Sequence, residues 1–297
     1  MSHSHFFNIA DWQVCLCFAH DSEQVDMQLL PSFAPFATKI GDGELLLTMT
    51  IDQTWEADAE AEHIKVCDTG NGAISVDRTR EGEYRFLIRN LRNEDCALMQ
   101  ASADFTHCRC KELGEREDQR SFGLNNAMMM AYAFAGALRS TLLVHASVVR
   151  HEGRGYAFIA KSGTGKSTQT QNWLKVIPGC DLMNDDNPVV RMVGDEAWIY
   201  GSPWSGKTPC YRQVKAPLAA VTKIVRDTEN NVVRMQPILA FNALLSSCSV
   251  MKWDTPTYRG ISDTVKQVVE HIGVFALHCT KEPESAAVCH KSVVHNS

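Results

Sequence analysis

The sequence has no hydrophobic run long enough to cross a bilayer. Its longest apolar stretch, Ala127–Leu138, contains 12 residues and ends at Arg139, whereas a membrane-spanning helix needs about 20. Basic residues are also missing from the first 38 positions, since the first lysine or arginine is Lys39. A secretory signal begins with a basic region. We therefore expect a cytoplasmic protein without a membrane partner.

The 11 cysteines lack the spacing of a structural zinc site. The sequence contains C-x-C pairs at Cys15/Cys17 and Cys108/Cys110, but not the two C-x₂-C pairs typical of zinc-binding domains. An odd number of cysteines also argues against a disulfide framework. Because residues two apart on a strand share one face, we expect both pairs to pack in a core rather than to bind metal.

Charged residues are unequally distributed along the 297 residues. Residues 1–120 contain 11 Lys and Arg against 22 Asp and Glu, whereas residues 121–297 contain 18 against 13. The overall net charge of −6 is therefore the sum of an acidic part and a basic part. Such asymmetry suggests different partners for the two parts, although solvated acidic loops would produce it as well.

Length and pattern together predict two domains. A chain of this length exceeds the usual size of one hydrophobic core. The first part is rich in strand patterns, including a hairpin pattern in Ala73–Arg78 and Tyr84–Arg89. After the charged segment Lys111–Arg120, helical patterns alternate with short apolar strands, which is typical of α/β folds. We predict a smaller β-rich accessory domain over 1–115, with a role in substrate or partner recognition, and an α/β domain over 116–297.

The most informative segment is the glycine-rich loop Ala160–Thr168, which reads AKSGTGKST. It follows the apolar strand Tyr156–Ala160 and opens a helix, which is the context of a P-loop. Gly163 and Gly165 allow backbone N–H groups to converge on an anion, and the helix N-terminus adds its partial positive charge. The sequence therefore predicts that this loop binds the phosphates of ATP.

Individual residues of the loop have separate predicted roles. Lys166 can reach the β- and γ-phosphates as a mobile charge, and the Ser167 hydroxyl is placed to ligate Mg²⁺. The complete predicted phosphate-binding set is Ser162, Gly163, Thr164, Gly165, Lys166, Ser167 and Thr168. Since Ala160 stands where the motif usually has its first glycine, the loop must begin with an ordinary φ. A glycine-rich turn without nucleotide is the alternative.

Two adjacent acids, Asp185 and Asp186, end the predicted strand Cys180–Asp186. If this strand runs parallel to the one before the P-loop, both carboxyl ends reach one edge of the sheet. Adjacent side chains point to opposite faces of a strand. One acid can therefore serve Mg²⁺ while the other accepts a hydroxyl proton. A turn or helix-capping role before Pro188 is the alternative.

A loop rich in glycine and proline, Tyr200–Arg212, contains the two cations Lys207 and Arg212. Phosphoryl transfer is catalysed chiefly by positioning and charge neutralisation, so both cations suit a catalytic loop. An ordinary surface loop is the alternative. His145 lies on the predicted apolar strand Thr141–Val149, where a lone histidine is more often a packed core residue than a catalyst.

These motifs resemble those of the HPr kinase/phosphorylase family, whose fold is shared with ATP-dependent phosphoenolpyruvate carboxykinase. The resemblance rests on Val144–Ser147 with its histidine, on Ser162–Ser167, and on the paired acids Asp185 and Asp186. It extends over about residues 123–215. The sequence departs from the family pattern in two ways. We find neither the segment that contacts a protein partner nor the second-metal histidine and lysine of the carboxykinases.

The resemblance implies an α/β P-loop domain that transfers phosphate from ATP to a serine hydroxyl of a protein or peptide. It implies Asp185 as the general base and His145 near the transferred phosphoryl group. Asp186 and Ser167 would hold Mg²⁺, although the two acids can exchange roles. The family also implies a homo-oligomer. Two other functions remain open, a nucleotide-responsive regulatory module and a carboxykinase-type lyase, and we expect no nucleic-acid partner.

Overall fold

The protein is a mixed α/β structure with two large sheets. The computed structural model describes residues 3–19, 26–57, 60–206 and 208–294. Its contacts divide the chain into two compact units, Met1–Ala135 and Gly136–Ser297. Over these four described ranges, no helix has both the length and the apolar character needed to cross a membrane.

The first unit is built on one nine-stranded sheet. Its elements are β1 (His3–Ile9), β2 (Trp12–Phe18), β3 (Ala37–Thr38), β4 (Glu44–Ile51), β5 (Ala61–Asp68), β6 (Gly72–Thr79), β7 (Tyr84–Asn90), β8 (Asp95–Ala101), β9 (His107–Glu112) and helix α1 (Glu117–Ala137). Two short 3₁₀ helices, Asp26–Leu29 and Pro31–Phe36, precede β3. The strands lie in the order β3-β1-β2-β4-β9-β8-β7-β6-β5, with parallel pairing of β4 to β2 and to β9. The predicted hairpin is confirmed as the antiparallel pair β6–β7.

Helix α1 lies mostly within the first compact unit, which ends at Ala135. The ring of Phe134 on this helix lies 5.2 Å from that of Phe105. The hydroxyl of Tyr132 donates a hydrogen bond of 3.0 Å to the carbonyl oxygen of Ile9. A helix that is apolar on nearly every side needs an apolar surface around it, and the contact boundary therefore follows Ala135.

The second unit contains the remaining strands and helices. These are β10 (Thr141–Leu143), β11 (Ala146–His151), β12 (Arg154–Ile159), α2 (Lys166–Val176), β13 (Asp181–Asp186), β14 (Val189–Val193), β15 (Glu196–Tyr200), β16 (Lys215–Arg226), β17 (Asn231–Arg234), α3 (Pro237–Leu245), α4 (Thr255–His271), β18 (Gly273–Cys279) and α5 (Glu284–Val294). Seven strands follow the order β10-β14-β15-β16-β12-β11-β13, and β18 pairs with both β16 and β17. The pairs β12–β16 and β16–β18 are parallel.

Helices cover both faces of the central part of this sheet. Tyr156 and Phe158 of β12 pack in one apolar cluster with Trp173 of α2 and with residues of α5. The intervening residues Ala157 and Ile159 pack in another cluster with residues of α3 and α4. Because successive side chains of a strand point to opposite faces, β12 is enclosed between the two helix pairs. A strand covered on both faces reads as a continuous apolar run.

The predicted strand Thr141–Val149 is wrong as a single element. The chain pairs with β14 through β10 and then with β12 and β13 through β11. Between these two strands, the N–H of Val144 donates to Pro188 and that of His145 donates to Ser247, at 3.1 and 2.6 Å. The break arises because one apolar segment serves two sets of partners. His145 consequently lies between strands rather than on one.

Candidate functional site

The glycine-rich loop Ala160–Thr168 and the paired acids lie at the same edge of the second sheet. Strands β12 and β13 are both antiparallel to β11, which lies between them. They therefore run in the same direction, and their carboxyl ends reach one edge. The predicted proximity is confirmed for the predicted reason, although β12 and β13 are not adjacent and the antiparallel strand β11 lies between them.

The loop after β12 has the backbone conformation that the motif predicts. Gly163 and Gly165 have φ of 74° and 132°, and a Cβ atom at either position would meet nothing within 4 Å. Glycine is thus needed here for backbone freedom rather than for space. Ala160 is not among the positive-φ residues of the described chain, as its alanine side chain requires. Helix α2 starts at Lys166, so the N–H groups of its first turn lack intrahelical acceptors and are suited to an anion.

Asp185 is the acid that contacts the P-loop. Its side chain is buried, with the residue 4% exposed, and its Oδ1 accepts a hydrogen bond of 2.9 Å from the Ser167 hydroxyl. The hydroxyl of Ser147, on the intervening strand β11, donates to the same oxygen at 2.6 Å. Thr170 of helix α2 lies 3.2 Å from the Ser147 hydroxyl. These hydroxyls satisfy a buried carboxylate and hold it beside the start of α2.

The oxygens of Ser167 and Asp185 fit a magnesium ion. Mg²⁺ prefers oxygen ligands and is usually held by one or two carboxylates together with substrate phosphates and water. Within the ranges that the structure describes, no three or more His, Cys, Asp and Glu residues are grouped to hold a metal by themselves. A magnesium ion at this edge would therefore depend on Ser167, Asp185 and the phosphates of a bound nucleotide.

Lys166, His145 and Asp186 form a second chain of contacts. The ammonium nitrogen of Lys166 lies 2.6 Å from Nε2 of His145 and 3.3 Å from the Ala160 carbonyl. Nδ1 of His145 lies 3.0 Å from Oδ1 of Asp186. Because an ammonium group can only donate, Nε2 accepts and the imidazole proton is assigned to Nδ1, which donates to Asp186. Burial lowers the pKa of Lys166, because it disfavours the charged ammonium group. The negative charges of Asp186 and Asp185 act in the opposite direction and raise this pKa.

The side-chain amide of Asn184, on strand β13, forms hydrogen bonds with the chain after β15. Asn184 is completely buried, and its Nδ2 donates to the Ser202 hydroxyl and the Trp204 carbonyl, each at 3.1 Å. The Ser202 hydroxyl in turn donates to the Asn187 carbonyl at 2.6 Å. These bonds hold the first half of the predicted loop against the end of β13. Asn184 was not predicted as a site residue, because a buried amide inside a strand has no distinctive sequence signal.

This loop approaches the paired acids at Gly206. The N–H of Gly206 donates to the Asp185 carbonyl. A Cβ atom at this position would lie 3.0 Å from that carbonyl oxygen and 3.2 Å from the Asp186 Cβ. A larger residue would therefore push either the loop or the acids away. The glycine permits the close approach.

Of the two predicted cations of this loop, the structure describes Arg212, which pairs with an acid at the other end of β13. Arg212 pairs with Asp181 at 2.7 Å and donates to the Leu182 carbonyl. Asp181 begins β13, four residues before Asp185, so the Cα atoms of the two acids lie roughly 13 Å apart along the strand. Arg150 also pairs with Asp181, at 2.9 Å, which gives Arg212 a structural role there. Lys207 lies outside the described residues.

The sequence did not identify two residues that contact the site, Arg226 and Ser147. Arg226, at the carboxyl end of β16, donates to the Thr164 carbonyl at 3.1 Å and to the Gly163 carbonyl. The available sequence signal was that Arg226 is a cation at the end of a strand. If that strand pairs in parallel with β12, its carboxyl end lies at the same edge of the sheet as the loop. Ser147, two residues after His145, is the other. Of the remaining predicted residues, Ser162 and Thr168 are exposed in the loop and in the first turn of α2.

Comparison with known proteins gives a limited result. No family model matches the chain, and no curated protein matches its sequence. Among solved structures, the HPr(Ser) kinase/phosphatase from Coxiella burnetii is similar at 9% sequence identity and a TM-score of 0.29. The similarity covers 52% of this chain and 94% of that one. At this TM-score the similarity carries no argument about function, which therefore rests on the geometry of the site.

Proposed function

We propose that this protein is an ATP- and Mg²⁺-dependent phosphotransferase that acts on a hydroxyl group. The observation that carries the proposal is the hydrogen bond of 2.9 Å from Ser167 to Asp185. It joins the hydroxyl of a P-loop sequence to an acid at the end of a separate strand. In nucleotide-hydrolysing P-loop proteins this pairing of hydroxyl and acid holds the metal that accompanies the phosphates.

The phosphates would be held by the glycine-rich loop and by Lys166. Positive φ at Gly163 and Gly165 and the free first turn of α2 supply backbone donors. Lys166 supplies a mobile charge. It would exchange its hydrogen bond with His145, at 2.6 Å, for a phosphate oxygen.

Ser167 and Asp185 are the proposed Mg²⁺ ligands. When bound, the ion neutralises negative charge on the phosphate oxygens during transfer. Asp185 suits this role since it is buried, with the residue 4% exposed, and is fixed by two hydroxyl groups. This assignment exchanges the roles that the family resemblance gives to the two acids.

Asp186 is the proposed general base. Its side chain is 31% exposed, so an incoming hydroxyl can reach its carboxylate and transfer a proton to it. His145 orients the carboxylate through the contact of 3.0 Å, and Gly206 leaves room beside it. The proposal thus assigns the metal to the buried acid, Asp185, and the proton to the more exposed acid, Asp186.

We propose a serine of a protein or peptide as the acceptor. The residue type comes from the family resemblance. The partial exposure of the Asp186 and His145 side chains, 31% and 39%, supports an acceptor that approaches from solvent. A small molecule would favour a more enclosed site.

Single-turnover transfer from γ-labelled ATP to a degenerate serine-peptide library tests the proposal. We expect Asp186→Asn to bind ATP with Mg²⁺ but to lose transfer, because only the proton acceptor is removed. Lys166→Ala should lose ATP binding, and Asp185→Asn should lose the Mg²⁺ dependence of binding. Asp195→Asn, an exposed acid in the turn after β14, is the matched control and should behave like wild type.

Wild-type transfer rates in both Asp186→Asn and Lys166→Ala would refute the proposal. ATP binding with Mg²⁺ but no transfer to any peptide or added protein would instead support a nucleotide-responsive module. Nucleotide-dependent conversion of oxaloacetate would support the lyase.

A further inference from the structure

The two C-x-C pairs of the first unit have different surroundings. Cys15 and Cys17 lie two residues apart on β2 and share one face of the strand, with their sulfur atoms 3.3 Å apart. The hydroxyl of Ser4, opposite Cys17 on strand β1, lies 3.3 Å from the Cys17 sulfur. Two groups that can form hydrogen bonds, the Cys15 thiol and the Ser4 hydroxyl, therefore meet at the Cys17 sulfur.

The same contacts make the two thiols chemically unequal. The hydrogen bond with Cys15 lowers the pKa of Cys17, with help from Ser4, and the same bond raises the pKa of Cys15. Cys17 is half-buried, whereas Cys15 is buried at 5% exposure. A negative charge costs less free energy on the more accessible sulfur. Cys17 is therefore the nucleophile and Cys15 its neighbouring thiol.

The pair Cys108/Cys110 has the same spacing but lacks these features. Both residues are buried among the core residues on β9, as the sequence analysis predicts for this pair. Burial raises the pKa of both thiols. A buried thiol with a raised pKa is a poor nucleophile, so this pair serves as an internal control.

From this arrangement we propose that Cys15 and Cys17 form a reversible disulfide by exchange with a low-molecular-mass disulfide such as oxidised glutathione. The Cys17 thiolate attacks one glutathione sulfur, the S–S bond breaks, and one glutathione thiolate leaves and takes up a proton. The Cys15 thiol then loses its proton to solvent, and its sulfur attacks the Cys17 sulfur. The second glutathione leaves, so two protein thiols are oxidised and one glutathione disulfide is reduced to two thiols.

Strand geometry makes this disulfide easy to reduce. Cα atoms two residues apart on an extended strand are about 6.6–6.8 Å apart, at the upper end of the range that disulfides tolerate. Closing the bond therefore distorts β2 locally, and distorted disulfides are reduced more readily. The pair is suited to respond to the ratio of thiol to disulfide rather than to stabilise the fold.

The test uses the full chain in buffers of stated reduced-to-oxidised glutathione ratio. Acid quenching, alkylation and peptide mass analysis then report the disulfide. We expect an intrapeptide disulfide at Cys15–Cys17 that rises with oxidised glutathione and disappears on addition of reduced glutathione. It should be absent in Cys17→Ser, which should form no glutathione adduct at Cys15. Cys15→Ser should instead accumulate a mixed disulfide at Cys17.

A rate measurement separates thiol activation from simple accessibility. At pH 7, Cys17 should react with N-ethylmaleimide about tenfold faster in the wild type than in Cys15→Ser, because the neighbouring thiol stabilises the thiolate. The double variant Cys108→Ser/Cys110→Ser should leave both readouts unchanged. Circular dichroism confirms that each variant is folded. The proposal is overturned if folded wild type forms no Cys15–Cys17 disulfide in oxidised glutathione alone, or if Cys108 and Cys110 react equally well.

Discussion

The ammonium nitrogen of Lys166 lies 2.6 Å from Nε2 of His145, so the lysine of the glycine-rich loop is hydrogen-bonded to a histidine of the same site. That histidine also contacts Asp186, at 3.0 Å. An anion that binds Lys166 through the same N–H would replace this bond with one of its own. The contact thereby connects phosphate binding with the position of the proposed base.

Replacement of Lys166 by methionine should weaken nucleotide binding and stabilise the protein. The lost charge-assisted hydrogen bond costs about 1.5–3 kcal/mol, or roughly 10- to 150-fold in Kd for ATP by isothermal titration calorimetry. Without nucleotide, the Tm at pH 7 should rise by about 2–4 °C, since methionine fills the same space without a buried charge. Lys161→Met, at an exposed lysine of the same loop, should change neither quantity.

The pH dependence of stability should change in the same variant. Burial lowers the pKa of Lys166 in the folded protein, whereas an unfolded lysine titrates near 10.4. Between these two pKa values the unfolded chain binds more protons, so the free energy of unfolding rises with pH. This contribution to the free energy of unfolding is fully present above the pKa of the unfolded lysine. It is lost as the pH falls through the lower pKa of Lys166 in the folded protein. Denaturation in urea between pH 7 and pH 10.5 should show the rise in wild type and a smaller rise in Lys166→Met.

Replacement of His145 by alanine should separate binding from transfer. Lys166 no longer has to leave a histidine partner, so the Kd for ATP should stay the same or fall a few-fold. Transfer should fall at least about tenfold, because Asp186 loses the group that orients it. Single-turnover rates and calorimetry measure the two effects. His271→Ala, at an exposed histidine ending α4, is the control, and a tenfold weaker ATP affinity in His145→Ala would contradict the expectation.

Replacement of Gly206 by alanine should disturb the acids without unfolding the domain. The new methyl group would lie 3.0 Å from the Asp185 carbonyl oxygen and 3.2 Å from the Asp186 Cβ. We expect transfer to fall by about tenfold or more while ATP binding persists, since a shift of about 1 Å in a positioned group can cost 100-fold. At Gly43 a Cβ would meet its first neighbour at 3.7 Å. Gly43→Ala should therefore keep wild-type transfer rates.

Replacement of Arg226 by alanine should loosen the P-loop. Its guanidinium donates to the carbonyls of Thr164 and Gly163, and it is a positioning residue rather than a catalytic one. We expect weaker ATP binding, by roughly three- to tenfold for one exposed hydrogen-bonded group, and faster hydrogen exchange in residues 161–165. Arg226→Lys should recover part of the binding. Unchanged exchange of the loop amides in Arg226→Ala would show that the contact does not position the loop.

The sequence predicted those parts of the site whose structure depends on residues that are adjacent along the chain. The P-loop was predictable since Gly163, Gly165 and Lys166 occur in the order and strand-to-helix context that the backbone conformation requires. The pair of acids was predictable as the end of the strand Cys180–Asp186. The hairpin β6–β7 was predictable because polar turn residues separate two alternating segments.

Contacts between distant segments were not predictable in the same way. Arg212 has the charge and loop context of a catalytic cation, yet its register along β13 places it at Asp181. The apolar run Thr141–Val149 contains no residue that marks its break, because the break arises from a change of strand partners. The contact of Arg226 with the P-loop likewise depends on the pairing of β16 with β12.

The sequence by itself determined which residue types the site contains, namely a glycine-rich loop with a lysine and a serine, and two adjacent acids. The tertiary structure decided which acid faces which partner. Alternation along β13 predicts only that Asp185 and Asp186 point apart. The order of the neighbouring strands brings Asp185 to Ser147 and Ser167, and leaves Asp186 with His145. Residue types are a local property, whereas their pairing depends on register and strand order across the whole sheet.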